Sequence, residues 1–155
     1  MGIEIERKFL VDHDKWQLLP KPQGCIMRQG YIVNEPDRTI RLRLAGDKAY
    51  LTFKSGTSGI SRREYEYEIP VNEAAELFEQ FVKAGLQKTR YCITYMDKLW
   101  EVDVFEGDNY GLIIAEIELK REDEPFELPE WVTTEVSEDA RYYNANLSLK
   151  PYNTW

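Results

Sequence analysis

The amino-acid sequence predicts a β-rich α+β protein built on eight antiparallel strands with a few flanking helices. The prediction rests on a period-two alternation of apolar and charged residues along most of the chain, and on a single long segment with helical spacing. The chain has 155 residues, of which 43% are hydrophobic, and this suffices for one core. No internal repeat or low-complexity tract divides it, so we expect residues 1–155 to form a single domain.

The predicted strands are alternating segments separated by turn-forming residues. They cover residues 3–11, 27–33, 38–45, 48–54, 62–70, 87–95, 99–105 and 112–120. Gly46 and Asp47 are predicted to form a hairpin turn between the third and fourth strands. Residues 96–98 are predicted to form another between the sixth and seventh strands. Strands joined this tightly are antiparallel neighbours.

Two helices are predicted. Residues 73–84 carry apolar side chains at helical spacing, with Asn72 as a candidate N-cap and Gly85 as the stop signal. A shorter helix is predicted to start near Ser137, a second candidate N-cap, and to run through Tyr142, with acidic residues suitably placed in its first turn.

Composition and charge argue against several classes of protein. The formal net charge of −8 disfavours a general nucleic-acid binder, and no apolar run approaches the ~20 residues of a transmembrane helix. The charged N-terminal segment has no signal-peptide pattern, so we expect a cytoplasmic protein without nucleic-acid or membrane partners. Cys25 and Cys92 are far apart and His13 is the only histidine, which argues against zinc, redox and histidine-based hydrolytic sites.

The two faces of the predicted strands differ in chemistry. In seven strands one face is apolar and the other carries acidic or basic residues at alternate positions. The bases on the charged faces are Lys8, Arg41, Arg43, Lys54, Lys88 and Arg90. The acids are Glu4, Glu6, Glu64, Glu66, Glu68, Glu101, Asp103, Glu116 and Glu118. Bases dominate the third, fourth and sixth strands, and acids dominate the first, fifth, seventh and eighth.

Two interpretations of these charged faces stay open on the residues alone. A sheet with a core side and a solvated side is the simpler one. Eight strands can also close a barrel, whose charged faces then line a lumen. Such a lumen suits a metal–polyphosphate complex, because Arg and Lys neutralise phosphate oxygens and Glu carboxylates hold Mg²⁺ or Mn²⁺. The excess of acids also favours a bound cation, since burying unpaired carboxylates is costly.

The charged motifs follow one another in a distinctive order along the chain. They are Glu4-Ile5-Glu6-Arg7-Lys8, Arg41-Leu42-Arg43, Lys54, Glu64 with Glu66, Lys88-Thr89-Arg90 and Glu116-Ile117-Glu118. In this order they resemble the CYTH superfamily, the triphosphate tunnel metalloenzymes, over residues 3–148. The resemblance implies a closed eight-stranded antiparallel barrel that forms a tunnel, and metal-dependent hydrolysis of a triphosphate inside it.

The resemblance also implies roles for individual residues. The residues implied to bind triphosphate are Lys8, Arg41, Arg43, Lys54, Lys88, Arg90 and Arg141. The candidate metal ligands are Glu4, Glu6, Glu64, Glu66, Asp103, Glu116 and Glu118. The candidate catalytic residues are Lys8, Glu6, Glu66 and Tyr31. In this hypothesis Lys8 stabilises developing charge, and a glutamate or a second metal ion activates the attacking water.

Several substrates remain possible, because the tunnel shared by the family recognises only the triphosphate group. The short chain is similar to the compact bacterial branch of the family, which favours inorganic triphosphate, cleaved to pyrophosphate and phosphate. The alternatives are a nucleoside or thiamine triphosphatase, a class IV adenylate cyclase and a non-catalytic polyphosphate-binding module. The four tryptophans are candidates for a stacking platform, although packing on the barrel exterior is the better interpretation. We expect a monomer or a homodimer.

Overall fold

The computed structural model describes residues 2–155, so Met1 of the predicted domain lies outside the described residues. Within that range the chain forms nine strands and three α-helices. The strands are β1 (Gly2–Val11), β2 (Cys25–Glu35), β3 (Arg38–Ala45), β4 (Lys48–Ser55), β5 (Ser61–Ile69), β6 (Gly85–Tyr95), β7 (Lys98–Phe105), β8 (Ile113–Leu119) and β9 (Val132–Glu135). The helices are α1 (His13–Leu18), α2 (Val71–Phe81) and α3 (Asn144–Leu149). None of the helices in this range has the length and apolar character needed to cross a bilayer.

Eight of the strands close into an antiparallel barrel. They follow the order β5-β4-β3-β2-β6-β7-β8-β1, and β1 returns to pair with β5, from Gly2 opposite Glu64 to Ile5 opposite Ser61. The additional strand β9 pairs with the other end of β1. The closed eight-stranded barrel expected from the sequence is therefore confirmed.

Both predicted hairpin turns form. Gly46, between β3 and β4, has a φ of 62°, in the region that glycine adopts without strain. Met96 and Asp97, between β6 and β7, have φ values of 47° and 62°, as a two-residue type I′ turn requires. Each turn places its two strands side by side, with their charged faces on the same side of the sheet.

The long predicted helix forms as α2, but its ends differ from the prediction. Pro70 occupies the N-cap position, so Asn72 does not cap the helix. The helix ends at Phe81, well before Gly85. Gly85 instead begins β6, where a Cβ atom would lie 2.5 Å from the backbone oxygen of Gln29. Glycine at this position therefore allows β6 to approach β2 rather than ending a helix.

The predicted C-terminal helix is displaced along the chain. Residues 140–142 form only a 3₁₀ turn, which Asp139 caps, and α3 begins two residues later. Ser137 is not an N-cap, because its hydroxyl accepts a hydrogen bond from the backbone N–H of Lys8 at 2.9 Å. This bond attaches the C-terminal segment to the edge of β1 between β5 and β9.

Two short elements are absent from the sequence prediction. Helix α1 forms because the side chain of Asp12 accepts a hydrogen bond from the backbone N–H of Lys15 at 3.0 Å. His13 is the first residue of this helix and is exposed. The other element is β9, which has only four residues.

The apolar faces of the strands point outward and are covered by helices and loops. An outer cluster on β1, β7 and β8 contains Trp100 and is covered by Trp16 of α1 and by Phe126 and Trp131 of the segment before β9. A second outer cluster, on β3 and β4, is covered by α2. Three of the four tryptophans therefore pack on the barrel exterior and do not form a stacking platform in the lumen.

Apolar side chains also fill part of one barrel end, on strand faces that are otherwise charged. They are Leu10, Leu86, Phe105 and Ile114, each two residues from a charged inward residue of its strand. Tyr142 and Leu147 of the C-terminal segment pack onto them, and Leu147 has 0% of its surface exposed. The C-terminal segment therefore covers the part of this end that is bordered by β1, β6, β7 and β8.

Truncation of Leu147 to alanine is expected to lower the free energy of unfolding by about 3 kcal/mol, because it leaves a cavity beneath α3. Chemical denaturation of the purified variant measures the change. Leu149→Ala, on the same helix, is the control. Leu149 is 58% exposed, so its truncation should change the same free energy by less than about 0.5 kcal/mol. Equal effects of the two truncations would contradict the placement of Leu147.

Candidate active site in the barrel lumen

The barrel encloses a cavity of about 740 Å³ that is lined mainly by charged and polar side chains. The lining contains all six bases of the predicted charged faces, namely Lys8, Arg41, Arg43, Lys54, Lys88 and Arg90. It contains seven of the nine predicted acids, namely Glu4, Glu6, Glu64, Glu66, Glu101, Glu116 and Glu118. Tyr31 also lines it. The structure thus brings together residues that are dispersed over most of the chain.

The charges of the lining are divided between two contiguous halves of the barrel wall. The inward side chains of β4, β3, β2 and β6, here called the basic arc, supply five of the cavity bases. The inward side chains of β7, β8, β1 and β5, here called the acidic arc, supply the seven acids together with Lys8 and Arg62. The cavity can therefore attract an anion to one side and a cation to the other.

Lys8 lies inside the acidic arc, between two glutamates. Its ammonium donates hydrogen bonds to Glu6 at 2.8 Å and to Glu116 at 2.9 Å. Burial opposes the charge of Lys8, but Glu116 and Glu6 outweigh burial and raise its pKa. Burial, Glu116 and Glu4 raise the pKa of Glu6. Although burial opposes it, Lys8 and Arg90 hold the pKa of Glu116 well below its usual range.

Glu4 is held by two bases, one of which the motifs do not identify. Lys54 lies 3.2 Å and Arg62 lies 3.1 Å from the same carboxylate oxygen of Glu4. Lys54 also lies 3.1 Å from Glu64. Arg62 is two positions before Glu64 on the inward face of β5, so extending the alternation of that strand by one step finds it.

The acidic arc has the donor chemistry of a divalent cation site. Burial and four neighbouring glutamates all raise the pKa of Glu118. A divalent cation would relieve this repulsion, and carboxylate oxygens are ligands that Mg²⁺ and Mn²⁺ prefer. Within residues 2–155 no three Asp, Glu, His or Cys side chains are already grouped to hold a metal ion. Lysine and arginine side chains pair with the glutamates instead. The glutamates therefore have the chemistry of metal ligands, but they must give up these ion pairs to bind a metal ion.

Arg43 differs from the other cavity bases. Each of the others lies within 4 Å of a carboxylate, whereas no acidic side chain of the described residues pairs with Arg43. Its Nε donates a hydrogen bond to Oε1 of Gln29 at 2.9 Å. Burial, Arg41 and Arg90 lower the pKa of Arg43 to about 9. Nε of Arg41 is also buried without a hydrogen-bond partner in the described chain. Guanidinium groups placed in this way favour a bound anion.

Lys88 connects the basic arc to α3. Its ammonium donates hydrogen bonds to Asp103 at 2.7 Å and to Oδ1 of Asn144 at 2.9 Å. Burial, Arg90 and Arg43 lower the pKa of Lys88 to about 7, although Asp103 opposes the shift. Asp103 is fully buried and does not line the cavity, because Lys88 and Arg90 engage both of its oxygens. Its role as a metal ligand stays a prediction.

Two other predicted residues lie away from the cavity lining. Arg141 is exposed, lies 2.8 Å from Asp139 and does not line the cavity, so its contact with phosphate stays a prediction. Glu68 lies further along β5 with 59% of its side chain exposed. Tyr31 does line the cavity, but its hydroxyl lies on the basic arc, 3.5 Å from Nε2 of Gln29.

Comparison with known proteins identifies a family and two similar enzymes. The CYTH domain family matches residues 2–151. The inorganic triphosphatase of Acetivibrio thermocellus is 48% identical over 156 residues, which cover 100% of this chain and 99% of that protein. The inorganic triphosphatase of Nitrosomonas europaea is 39% identical over 154 residues, which cover 94% of this chain and 97% of that protein.

Solved structures have the same architecture. The crystal structure of the inorganic triphosphatase NE1496 aligns with a TM-score of 0.66 and 36% identity over 94% of each chain. A putative adenylate cyclase from Bacillus halodurans aligns with a TM-score of 0.64, over 79% of this chain and 84% of that chain. Its identity is only 18%, so this likeness concerns the fold alone.

Proposed function

The chain belongs to the CYTH domain family, and from that premise we propose that it hydrolyses inorganic triphosphate to pyrophosphate and phosphate with a divalent metal ion. The family expected from the motifs is thus confirmed. Two inorganic triphosphatases that match the chain over nearly its whole length support the activity. The structural observation that carries the proposal is the divided lumen, in which Arg43 has no acidic partner and the glutamates opposite are crowded.

In this proposal the basic arc binds the triphosphate. Arg41, Arg43 and Arg90 offer planar guanidinium groups that match pairs of phosphate oxygens, and Lys54 and Lys88 add point charges. In the free protein Arg41, Lys54 and Arg90 are paired with carboxylates of the cavity lining, and Lys88 is paired with the buried Asp103. A bound polyanion can take over those hydrogen bonds without a large movement of the strands. The cations are therefore in place before the substrate arrives.

We propose Mg²⁺ or Mn²⁺ as the divalent ion. The ligands would come from the acidic arc, namely Glu4, Glu6, Glu116 and Glu118, with Glu64 and Glu66 on the adjacent strand β5. Such an ion would supply neutralising charge for phosphate oxygens and would lower the pKa of a bound water. The bases that hold these glutamates in the free protein then become available to the phosphate oxygens.

In this proposal the side chains of the protein position the triphosphate and the attacking water. Phosphoryl transfer depends on in-line geometry and on neutralising the charge of the phosphate oxygens. We assign Lys8 to the oxygens of the transferred and leaving phosphates. We propose that Glu66, whose carboxylate accepts a hydrogen bond from Thr52 at 2.8 Å and is 37% exposed, orients the attacking water and accepts its proton. All of these residues come from one barrel, so a monomer or each subunit of a homodimer suffices.

The test is phosphate release from inorganic triphosphate, ATP and thiamine triphosphate, measured side by side with Mg²⁺, Mn²⁺ or EDTA. We expect fast release from inorganic triphosphate with either metal and slow release from the other two substrates. Trp16, Trp100 and Trp131 lie outside the lumen and cannot stack on a base or on thiamine there. EDTA should abolish release, because it removes the cation that the acidic arc is proposed to bind.

The other outcomes point to different functions. Binding of triphosphate without phosphate release from any substrate would favour a polyphosphate-binding module. Release of pyrophosphate from ATP would favour a cyclase. Release that persists in EDTA would contradict the role assigned to the acidic arc.

A further inference from the structure

Gln29 is an uncharged and fully buried side chain in the middle of the basic arc. It lies on β2, between β3 and β6, and none of its surface is exposed. In the strand register it stands directly opposite Arg43. A buried amide needs partners for both its oxygen and its nitrogen. The partners that Gln29 has in this structure are themselves groups of the basic arc and of α3.

Gln29 and Asn144 form a bridge of two amides between two cations. Arg43 Nε donates to Oε1 of Gln29 at 2.9 Å, and Nε2 of Gln29 donates to Oδ1 of Asn144 at 3.1 Å. Lys88 Nζ donates to the same oxygen of Asn144 at 2.9 Å. Arginine and lysine are donors only, so the cation at each end requires an amide oxygen. The orientation of both amides follows from that requirement.

The absence of charge at position 29 has a consequence for Arg43. A glutamate would have nearly the same volume and would also accept the hydrogen bond from Arg43. It would, however, neutralise the guanidinium and place a negative charge inside the basic arc. Glutamine fixes the guanidinium through a hydrogen bond while leaving its full charge available to an anion, which is the requirement for preorganised electrostatic binding.

We propose that Gln29 is a positioning residue for triphosphate binding, because it holds Arg43 in place through a neutral hydrogen bond that Asn144 anchors to α3. The identity of the anion rests on the proposed function. Gln29 acts through Arg43 and needs no contact of its own with the substrate. The bridge also attaches α3 to β2 of the basic arc, so the position of Arg43 depends on a segment distant in sequence.

The decisive variant is Gln29→Glu, with Gln29→Met as its uncharged counterpart. Gln80→Glu, at an exposed position of α2, adds the same charge outside the barrel and is the matched control. The dissociation constant of triphosphate is measured calorimetrically in EDTA, KM and kcat are measured with Mg²⁺, and Tm is measured for each variant. For Gln29→Glu we expect KM and the dissociation constant to rise at least about tenfold. Its kcat should stay within about threefold of the wild-type value.

The expected Tm separates positioning from a merely structural role. In Gln29→Glu the Tm should change little, because the new ion pair with Arg43 offsets the hydrogen bond that Nε2 of Gln29 donates to Asn144, while triphosphate binding weakens. In Gln29→Met the hydrogen bond is lost without added charge, so the dissociation constant should rise less, by about threefold. Gln80→Glu should match the wild type. A structural role would instead lower Tm and binding together and would make Gln29→Met the more damaged variant.

Several results would overturn the positioning role. Wild-type affinity and KM in Gln29→Glu would do so, as would a loss of binding that simply follows a loss of Tm. If Gln29→Glu does not fold, Asn144→Asp tests the other end of the bridge, and wild-type affinity in that variant would also overturn the proposal. Binding in EDTA needs no turnover, so a wild-type protein that binds triphosphate but releases no phosphate would refute hydrolysis alone. A wild-type protein that neither binds triphosphate in EDTA nor releases phosphate with Mg²⁺ would refute both.

Discussion

Replacement of Glu6 by glutamine is expected to lower kcat for triphosphate at least about 100-fold, while the free energy of unfolding stays the same or rises. Burial, Glu116 and Glu4 raise the pKa of Glu6 in the folded protein. A carboxyl group whose pKa is raised by folding costs stability when it is ionised, so its charge at neutral pH destabilises the fold. Glutamine keeps the shape and removes that charge, and Lys8 retains its hydrogen bond with Glu116.

Steady-state kinetics with Mg²⁺ and chemical denaturation measure the two quantities on the same preparation. Glu68→Gln is the matched control, because Glu68 lies on an inward strand position beyond the cavity lining and is 59% exposed. Its replacement should change kcat less than about twofold. Full metal-dependent turnover in Glu6→Gln would show that Glu6 is not part of the catalytic site. A loss of stability as large as the loss of activity would show that its role is structural.

Replacement of Arg43 by methionine is expected to lower kcat/KM for triphosphate by about 1,000-fold and to raise the free energy of unfolding. The guanidinium lies in the cavity without an acidic partner among the described residues, next to Arg41 and Arg90, which together with burial lower its pKa to about 9. Such a charge destabilises the free protein and becomes favourable when an anion binds. The opposite signs of the two effects distinguish a binding residue from a residue of the core.

Arg63→Met is the control for this substitution. Arg63 is on β5 but is exposed and does not line the cavity. The control should keep kcat/KM within about twofold of the wild-type value. If Arg43→Met retained wild-type kcat/KM, the basic arc would not be the triphosphate site. If it unfolded more readily than the wild type, its charge would already be compensated in the free protein.

The barrel could be predicted because its strands alternate with a strict period of two, and this period is visible in the residues themselves. Short elements that cover the barrel could not. Trp16 of α1 and Trp131 of the segment before β9 are stabilised by packing on the outer faces of β1, β7 and β8. Those faces exist only once the barrel has formed. Leu10 and Ile114 interrupt charged faces in the sequence, and only the closed barrel shows that they meet beneath Leu147.

The charged site residues could be predicted one by one, because each lies on the alternating face of a strand and within a motif. The roles of the Gln29 and Asn144 amides could not be predicted, because the sequence does not show whether an uncharged side chain is buried or which group it bonds. Arg62 was accessible to the same reasoning and needed only the alternation of β5 to be extended. The location of Arg141 depends on the 3₁₀ turn at residues 140–142 and on Asp139, which strand periodicity does not describe.

Because the barrel wall encloses the bases of the lumen, we expect the protein to discriminate among polyanions by their thickness. Seven basic and eight acidic side chains line the cavity and nearly cancel, so most of the formal net charge of −8 lies on the outer surface. We expect that negative exterior to repel a bulky polyelectrolyte such as a nucleic acid before it reaches the bases of the lumen. A slender chain of phosphates can enter the lumen and meet the opposite charge. On the proposed function, the barrel would therefore act as a molecular sieve that admits a phosphate chain in one molecule and rejects it in another.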